Sequence, residues 1–472
     1  MAFLVGGANS ASGAYQIDIS LRMYGVDNYG TITTLGSSSS NAKKWTVSFW
    51  AKLGGGLAAH RCVFSAGEAS GGEYVQINFT DGDELQLYSS NSLGAADNTA
   101  TNLKTNAKYR DVSAWYHVVY AIDFTDGTAG DRIKLYVNGE RVTSFASSSN
   151  IPAQNTDNDR VGANSIDHFV GRFVDSDSQY FSGHLSDLYF IDGDAKAASD
   201  FGKTDDNGVW IPIKYTGSFG NNGFKFEFQG TGTSANASGI YADTSGNGHH
   251  FTPNNHNSTH ITTDTPTNNF CTLNYNHKST SNVVLSEANH KVVLNQSTGW
   301  QHVAGTMAVK NGKWYWEGHA LSIAATDKTS IGVFQFDTTD VDFVNNTNTD
   351  RSSKGLSGHG AGTGSYSYAQ GEIVMCGMDL DNNKVYWGKD GTWFGNLDPA
   401  AGSGSTTQTI SNANFCVPAV GGYGTSSWEV NFGNPSFSIS SGNADANGYG
   451  NFEYSVPSGY YALCTKNLAE YG

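Results

Sequence analysis

The stretch "KKWTVSFWAKL" (43–53) constrains the fold more than any other, because it alternates: Trp45, Val47 and Phe49 fall on one face and Thr46, Ser48 and Trp50 on the other. Successive side chains of a strand point to opposite faces, whereas a helix would spread these residues around its axis. "EYVQINFT", "DELQLYSS", "WYHVVYAIDF", "DRIKLYVNGERV" and "HLSDLYFIDG" repeat the period, with Gly, Asp and Asn turns between them. Asn138-Gly139 in "YVNGERV" suits a two-residue type I′ turn between paired strands. Short strands at this density, with no long helical period, predict antiparallel β-sandwiches. The 57 glycines serve such a fold by supplying positive φ at tight turns.

At 472 residues the chain exceeds one ordinary core, so two or three domains are expected. From about 196 to 280 the pattern changes: "QGTGTSANASG", "DTSGNGHH", "TPNNHNSTH" and "TTDTPTNN" are rich in Ser, Thr, Asn and Gly and poor in apolar residues. That composition reads as an irregular connector. "GFKFEFQ" (223–229) alternates within it and is a candidate extra strand. Strand patterning resumes near 281 and runs to "YYALCTKNL".

Both halves resemble known families. On "WTVSFWAKL", "WYHVVYAID", "IKLYVNGERV" and "YFSGHLSDLYFIDG", residues 15–195 resemble a laminin-G/concanavalin-A-like jelly roll. On "GKWYWEG", "IGVFQF", "GEIVMCGMDLDNNKVYWGKDG", "VPAVGG" and "WEVNFGNPSF", in the family's order, residues 281–466 resemble a SPRY domain. The resulting layout is an N-terminal arm (1–14), a first sandwich (15–195), the connector (196–280), a SPRY-like sandwich (281–466) and a C-terminal tail (467–472). In "GKWYWEG", Trp314 and Trp316 share one strand face and Tyr315 takes the other. Two indoles so placed form either an inter-sheet wedge or a ligand platform. The SPRY resemblance implies a core strand there, with Tyr315 partly buried.

Catalytic patterns are not found. A glycanase of this fold class needs a carboxylate pair across the sugar, and the Glu-x-Asp-x-x-Glu strand that the resemblance would require is missing. "DGDEL" (81–85) reads as a solvated hairpin, and no GxSxG, HExxH or P-loop pattern occurs. No enzyme is therefore expected. One loop carries a metal reading: "DTSGNG" places Asp243, Ser245 and Asn247 at alternate positions, like the first half of a calcium loop, but Asn254 stands where the closing Glu belongs. An Asx-turn loop is the alternative. His249, His250, His256 and His260 form a second polar cluster, readable as a metal site or a solvated loop. Cys62, Cys271, Cys376, Cys416 and Cys464 show no framework and read as buried thiols.

Binding remains. Laminin-G-like relatives recognise glycans, often with calcium, and SPRY domains mostly recognise protein segments, through loops at a sandwich end or edge. Candidate contact residues are Asp390 and Trp393 in "GKDGTWFGN", Tyr423 and Trp428 in "GYGTSSWEV", and Asp123 and Asp126 in "DFTDGTAGD". The stretches "GGANSASGAYQIDISLRM", "ADTSGNGHHFTPNN" and "TDTPTNNFCTLN" resemble structural proteins of marine tailed phages. That resemblance implies a virion surface protein, made in the host cytoplasm and tail-associated, with host-surface glycans or other virion proteins as partners and a homo-oligomeric state, a trimer for a tail fibre. A capsid decoration protein, a polysaccharide depolymerase and a cellular SPRY-type adaptor are the alternatives. The net charge of −16 leaves no electrostatic footprint for nucleic acid, and no apolar run reaches membrane-spanning length.

Overall fold

The computed structural model describes residues 15–55, 59–68, 72–91, 93, 100–296, 300–323, 329–335, 353–357, 368–404, 410 and 415–472. The arm expected over 1–14 lies outside them. The fold is nearly all-β, 44% strand and 4% helix. The described residues divide into two compact units, one of 15–110 with 114–267 and one of 268–472 with 111–113.

The first unit stacks two antiparallel sheets. One runs Glu140–Arg141, Ile133–Val137, Trp115–Asp123, Lys44–Leu53, Ser182–Asp192, Ser20–Tyr24 and Ile261–Thr262 in spatial order, with Phe224–Phe226 also paired to Ser182–Asp192. The other runs Phe145–Ser149, Thr101–Lys108, Glu84–Ser89, Tyr74–Phe79, Arg61–Gly67, Asp167–Val170, Tyr29–Ile32 and Thr252–Asn254. The alternation works as expected: Trp45, Val47 and Phe49 enter the shared core with Phe64, Ile77, Leu87 and Tyr120. Asn138 and Gly139 take φ of 47° and 83°, as a type I′ turn demands.

Here the connector expectation needs correction. Phe224, Phe226, Phe228, Ile240, Tyr241 and Phe251 are all in the first unit's core, and three strands between 224 and 262 extend its sheets. The few apolar residues of this segment suffice because they are large and converge, with Phe226 meeting Tyr241 and Phe251 at 5.6 and 4.8 Å. Its polar residues satisfy its own backbone, as when Asn257 caps the amide of Thr259. A run from Ala198 to Phe219 adds a further layer: Phe201 and Tyr215 pack on Val119, Tyr189 and Ile191, on the outer side of the first sheet.

The second unit pairs a five-stranded sheet (Leu273–Lys278, Trp300–Gly305, Cys416–Tyr423, Thr329–Gln335, Ser353–Ser357) with a larger one. The larger sheet runs Val283–Ser286, Lys291–Leu294, Ser426–Asn431, Lys313–Ser322, Ile373–Asp379, Lys384–Lys389 and Thr392–Trp393, with Tyr461–Ala462 parallel to Lys313–Ser322. Trp314 and Trp316 are fully buried between the sheets beside Val374, Cys376 and Trp428. Tyr315 is fully buried too, not partly, because Phe452 and Tyr460 cover the outer face of its strand. Glu317 anchors that cover. Its buried carboxylate accepts the amides of Tyr454 and Glu453 at 2.8 and 3.0 Å, the Tyr315 hydroxyl at 2.9 Å and the Asn431 amide at 3.2 Å. Residues 467–472 are not a free tail: helix Thr465–Tyr471 buries Asn467 and Leu468. All five cysteines are buried.

Candidate functional site

The outer face of the first unit's second sheet carries a pattern its core face does not. In "EYVQINFT" and "DELQLYSS" the core takes Val75, Ile77, Phe79, Leu85 and Leu87. By the same period Tyr74, Gln76, Asn78, Gln86 and Tyr88 point outward. Register aligns them: Gln76 lies opposite Tyr88, Asn78 opposite Gln86, and Tyr88 opposite Asn102. A row of amides crosses the sheet. The Asn78 amide nitrogen lies 3.0 Å from Nδ1 of His60 and 3.4 Å from Oε1 of Gln86, and Gln86 donates to Oδ1 of Asn102 at 2.9 Å. Tyr74 and Tyr88 lie together beside Gln76 on one side of the row, their ring centroids 6.0 Å apart.

Two acceptors in this row are unused. Oε1 of Gln76 and Oδ1 of Asn78 are buried and make no hydrogen bond. A buried acceptor left unmade costs roughly 1–3 kcal/mol, so a donor arriving from outside gains what the protein forgoes. Gln76 and Asn78 are two residues apart on one face, so their side chains leave the strand about 7 Å from each other. Both oxygens are covered, Gln76 being 5% exposed and Asn78 0%, so a hydroxyl donor reaches them only when these side chains turn outward; the tyrosine rings beside Gln76 are half-buried. The alternation of the sequence marks these residues as a polar outward face, which reads as solvated, whereas Gln76, Asn78 and Gln86 are buried.

The outer face of the other sheet is closed. His117 is stacked between Trp50 and Trp210, at 4.7 and 6.0 Å, and burial pulls its imidazole down to about 3, so it is neutral. Lys52 meets Asp264 at 2.7 Å, both essentially buried, and Trp115 donates to the same carboxylate. Asp187, with φ of 41° where pairing is interrupted between Ser186 and Tyr189, accepts the Tyr189 hydroxyl at 2.9 Å. Glu227 accepts Lys225 Nζ at 2.6 Å and the Tyr15 hydroxyl at 3.4 Å. Burial raises the Asp187 carboxyl above its ordinary value. For Glu227 burial is outweighed by the Lys225 hydrogen bond and charge, and the group lies below its ordinary value.

The structure does not gather the sequence-derived candidates into one site. Trp428 is fully buried against Tyr368, because the alternation of "SSWEV" turns it into the core. Trp393 is half-buried, its ring edge-on to Tyr315 at 6.3 Å. Asp390 is exposed and opens the Asp390-Gly391 hairpin turn, with φ of 48° and 82°. The side chain of Tyr423 lies outside the described residues. Asp123 accepts the Thr125 amide and pairs with Lys44 at 2.9 Å, and Asp126 accepts the Thr128 amide, so both do turn chemistry. In the calcium-like loop, Asp243 spends its carboxylate on the amides of Lys225, Ser245 and His249 at 2.8–2.9 Å. Asn247 turns its NH2 toward the carbonyls of Gly220 and Gly223, and the Ser245 hydroxyl donates to the Gly223 carbonyl. With Asp243 accepting three backbone amides and Asn247 bonded to two backbone carbonyls, the loop carries the hydrogen bonds of an Asx-turn. His256 and His260 face each other at 3.0 Å, and burial lowers them to about 3 and 4.

The chain thus comprises antiparallel β-sandwiches. Residues 25–199 match the model of the concanavalin A-like lectin/glucanases superfamily. Among solved structures, a pentraxin of Limulus polyphemus is similar at 16% identity, over 39% of this chain and 80% of that one, with a TM-score of 0.28. The SPRY domain of human HERC1 is similar at 13% identity, over 34% and 96%, with a TM-score of 0.26. A Ruminococcus gnavus sialidase carbohydrate-binding module, solved with α2,3-sialyllactose, is similar at 12% identity, over 36% and 89%, with a TM-score of 0.25. No curated protein matches the chain.

Proposed function

We propose that the protein binds glycans through the amide and tyrosine face of its first unit, without turning them over. The observation that carries this reading is the pair of unused acceptors, Gln76 Oε1 and Asn78 Oδ1, with Tyr74 and Tyr88 beside Gln76. Sugar hydroxyls supply the donors, and the apolar face of a sugar ring covers a tyrosine. The superfamily matched by residues 25–199 names both lectins and glucanases in its description. The finer reading, motivated by the phage-like stretches, is a virion surface protein of a tailed phage that presents this face to host-surface glycans. Several copies on a particle would then raise weak single-site binding by about 10²–10⁴.

A glycan array probed with the full chain and with Gln76→Leu tests the binding. Signal on defined saccharides that disappears in the variant supports it, and an array without signal overturns it. Detection of the chain in purified particles tests the virion reading, and locating it on tail or capsid separates fibre from decoration protein. Hydrolysis is the second reading, in line with the glucanases of the matched superfamily and with the Asp187 and Glu227 carboxyls, shifted in opposite directions within one cluster. Asp187 is buried, its carboxyl held by the Tyr189 hydroxyl, which suits a structural cluster better than an acid facing substrate. Reducing ends released by the protein, and lost in Asp187→Asn, would establish hydrolysis instead.

A further inference from the structure

We propose a second ligand site, in the second unit, that takes one uncharged sugar ring. A cavity of about 280 Å³ opens there, lined by Asn311, Gly312, Lys313, Asp381, Tyr461 and Tyr471 among others. Its walls are held in place. The Gly312 amide donates to Oδ1 of Asp381 at 2.9 Å, and the Leu380 amide donates back to the Gly312 carbonyl at 3.0 Å. The buried Trp314 indole donates to the Asn311 carbonyl at 2.8 Å. These bonds join the turn before Lys313–Ser322 to the turn after Ile373–Asp379. Gly312 has φ of 82°, and a Cβ there would stand 2.6 Å from the Tyr471 carbonyl oxygen, so the floor admits only glycine. Tyr461 and Tyr471 stack with ring centroids 3.8 Å apart and planes 10° from parallel, which makes a rigid aromatic wall.

The chemistry of the lining selects the ligand. Lys313 is already neutralised by the buried Asp379 at 3.2 Å, so its ammonium offers further N–H donors without calling for an anion. Asp381 has one oxygen committed to Gly312 and the other available as an acceptor, and Asn311 is an exposed amide. Donors and acceptors side by side, next to an aromatic wall, match hydroxyl groups, which do both, on a ring with an apolar face. The volume lies at the small end of ligand pockets and suits a single ring rather than an extended chain. This site is independent of the face on the first unit.

Fluorine NMR of the full chain labelled with fluorotyrosine reads the pocket directly, with Tyr461→Phe and Tyr471→Phe assigning the two resonances. Glucose, galactose, mannose and N-acetylglucosamine are the probes, with glucuronate as the charged control. At least one neutral sugar should shift both resonances saturably. Asp381→Asn keeps an oxygen for the Gly312 amide while turning the free acceptor into a donor, and should weaken that binding about tenfold. Tyr471→Ala, at a half-exposed position, should abolish the Tyr461 shift. No shift with any neutral sugar, a preference for glucuronate, or undiminished binding in both variants overturns the proposal. Loss of glycan-array signal in Gln76→Leu with the tyrosine shifts retained would separate the two sites.

Discussion

Raising the pH from 4.5 towards 7 is expected to cost this protein stability through one side chain, Glu317. Burial disfavours its charged form and lifts the carboxyl from an ordinary 4.5 to about 7, against the pull of four hydrogen-bond donors. Between those values the folded protein keeps a proton that the unfolded chain has released. The stabilisation is therefore complete below 4.5 and is lost as pH rises through about 7. The gap corresponds to about 3 kcal/mol. Glu317→Gln isolates the effect, because glutamine keeps the shape and cannot ionise. Its NH2 cannot accept from the surrounding donors, whereas the hydroxyl oxygen of the neutral carboxyl still can, so at the acid end the variant should start about 1–3 kcal/mol less stable. Urea unfolding of both proteins across the window should show that difference shrinking or reversing as pH rises. Amide exchange at Glu453 and Tyr454 would report the same change locally. Parallel stability curves would refute the reasoning, because they would mean that the four donors outweigh burial and keep Glu317 ionised throughout.

Trp316→Ala should lower stability by about 3–5 kcal/mol in urea unfolding, and Tyr315→Ala by a comparable amount, since both faces of their strand are buried. Lys52→Met should cost about 3–5 kcal/mol by leaving the Asp264 carboxylate buried without its ion pair, and adding Asp264→Asn should restore part of the loss. Gln76→Leu should leave the melting temperature unchanged or slightly raised, because it removes an acceptor that the folded protein does not use, while the glycan-array signal is lost.

Strand identity was legible from residue order alone. The period of two in "KKWTVSFWAKL" and "GKWYWEG" determines which side chains share a face, and Asn138-Gly139 determines a tight turn through its backbone preference. These are local effects, and a local pattern suffices to read them. Even so, the pattern says nothing of what lies beyond a face. Tyr315 looked half-buried because its cover, Phe452 and Tyr460, stands more than a hundred residues along the chain. Residues 224–262 looked like a connector because low apolar content is counted along the chain, whereas burial depends on convergence in space, and their six large apolar side chains converge. The candidate site follows the same division. That Gln76 and Asn78 share an outward face with Tyr74 is written in the alternation of "EYVQINFT". That two of their oxygens lack partners is a tertiary fact, since a hydrogen bond depends on distances between strands that no single stretch specifies.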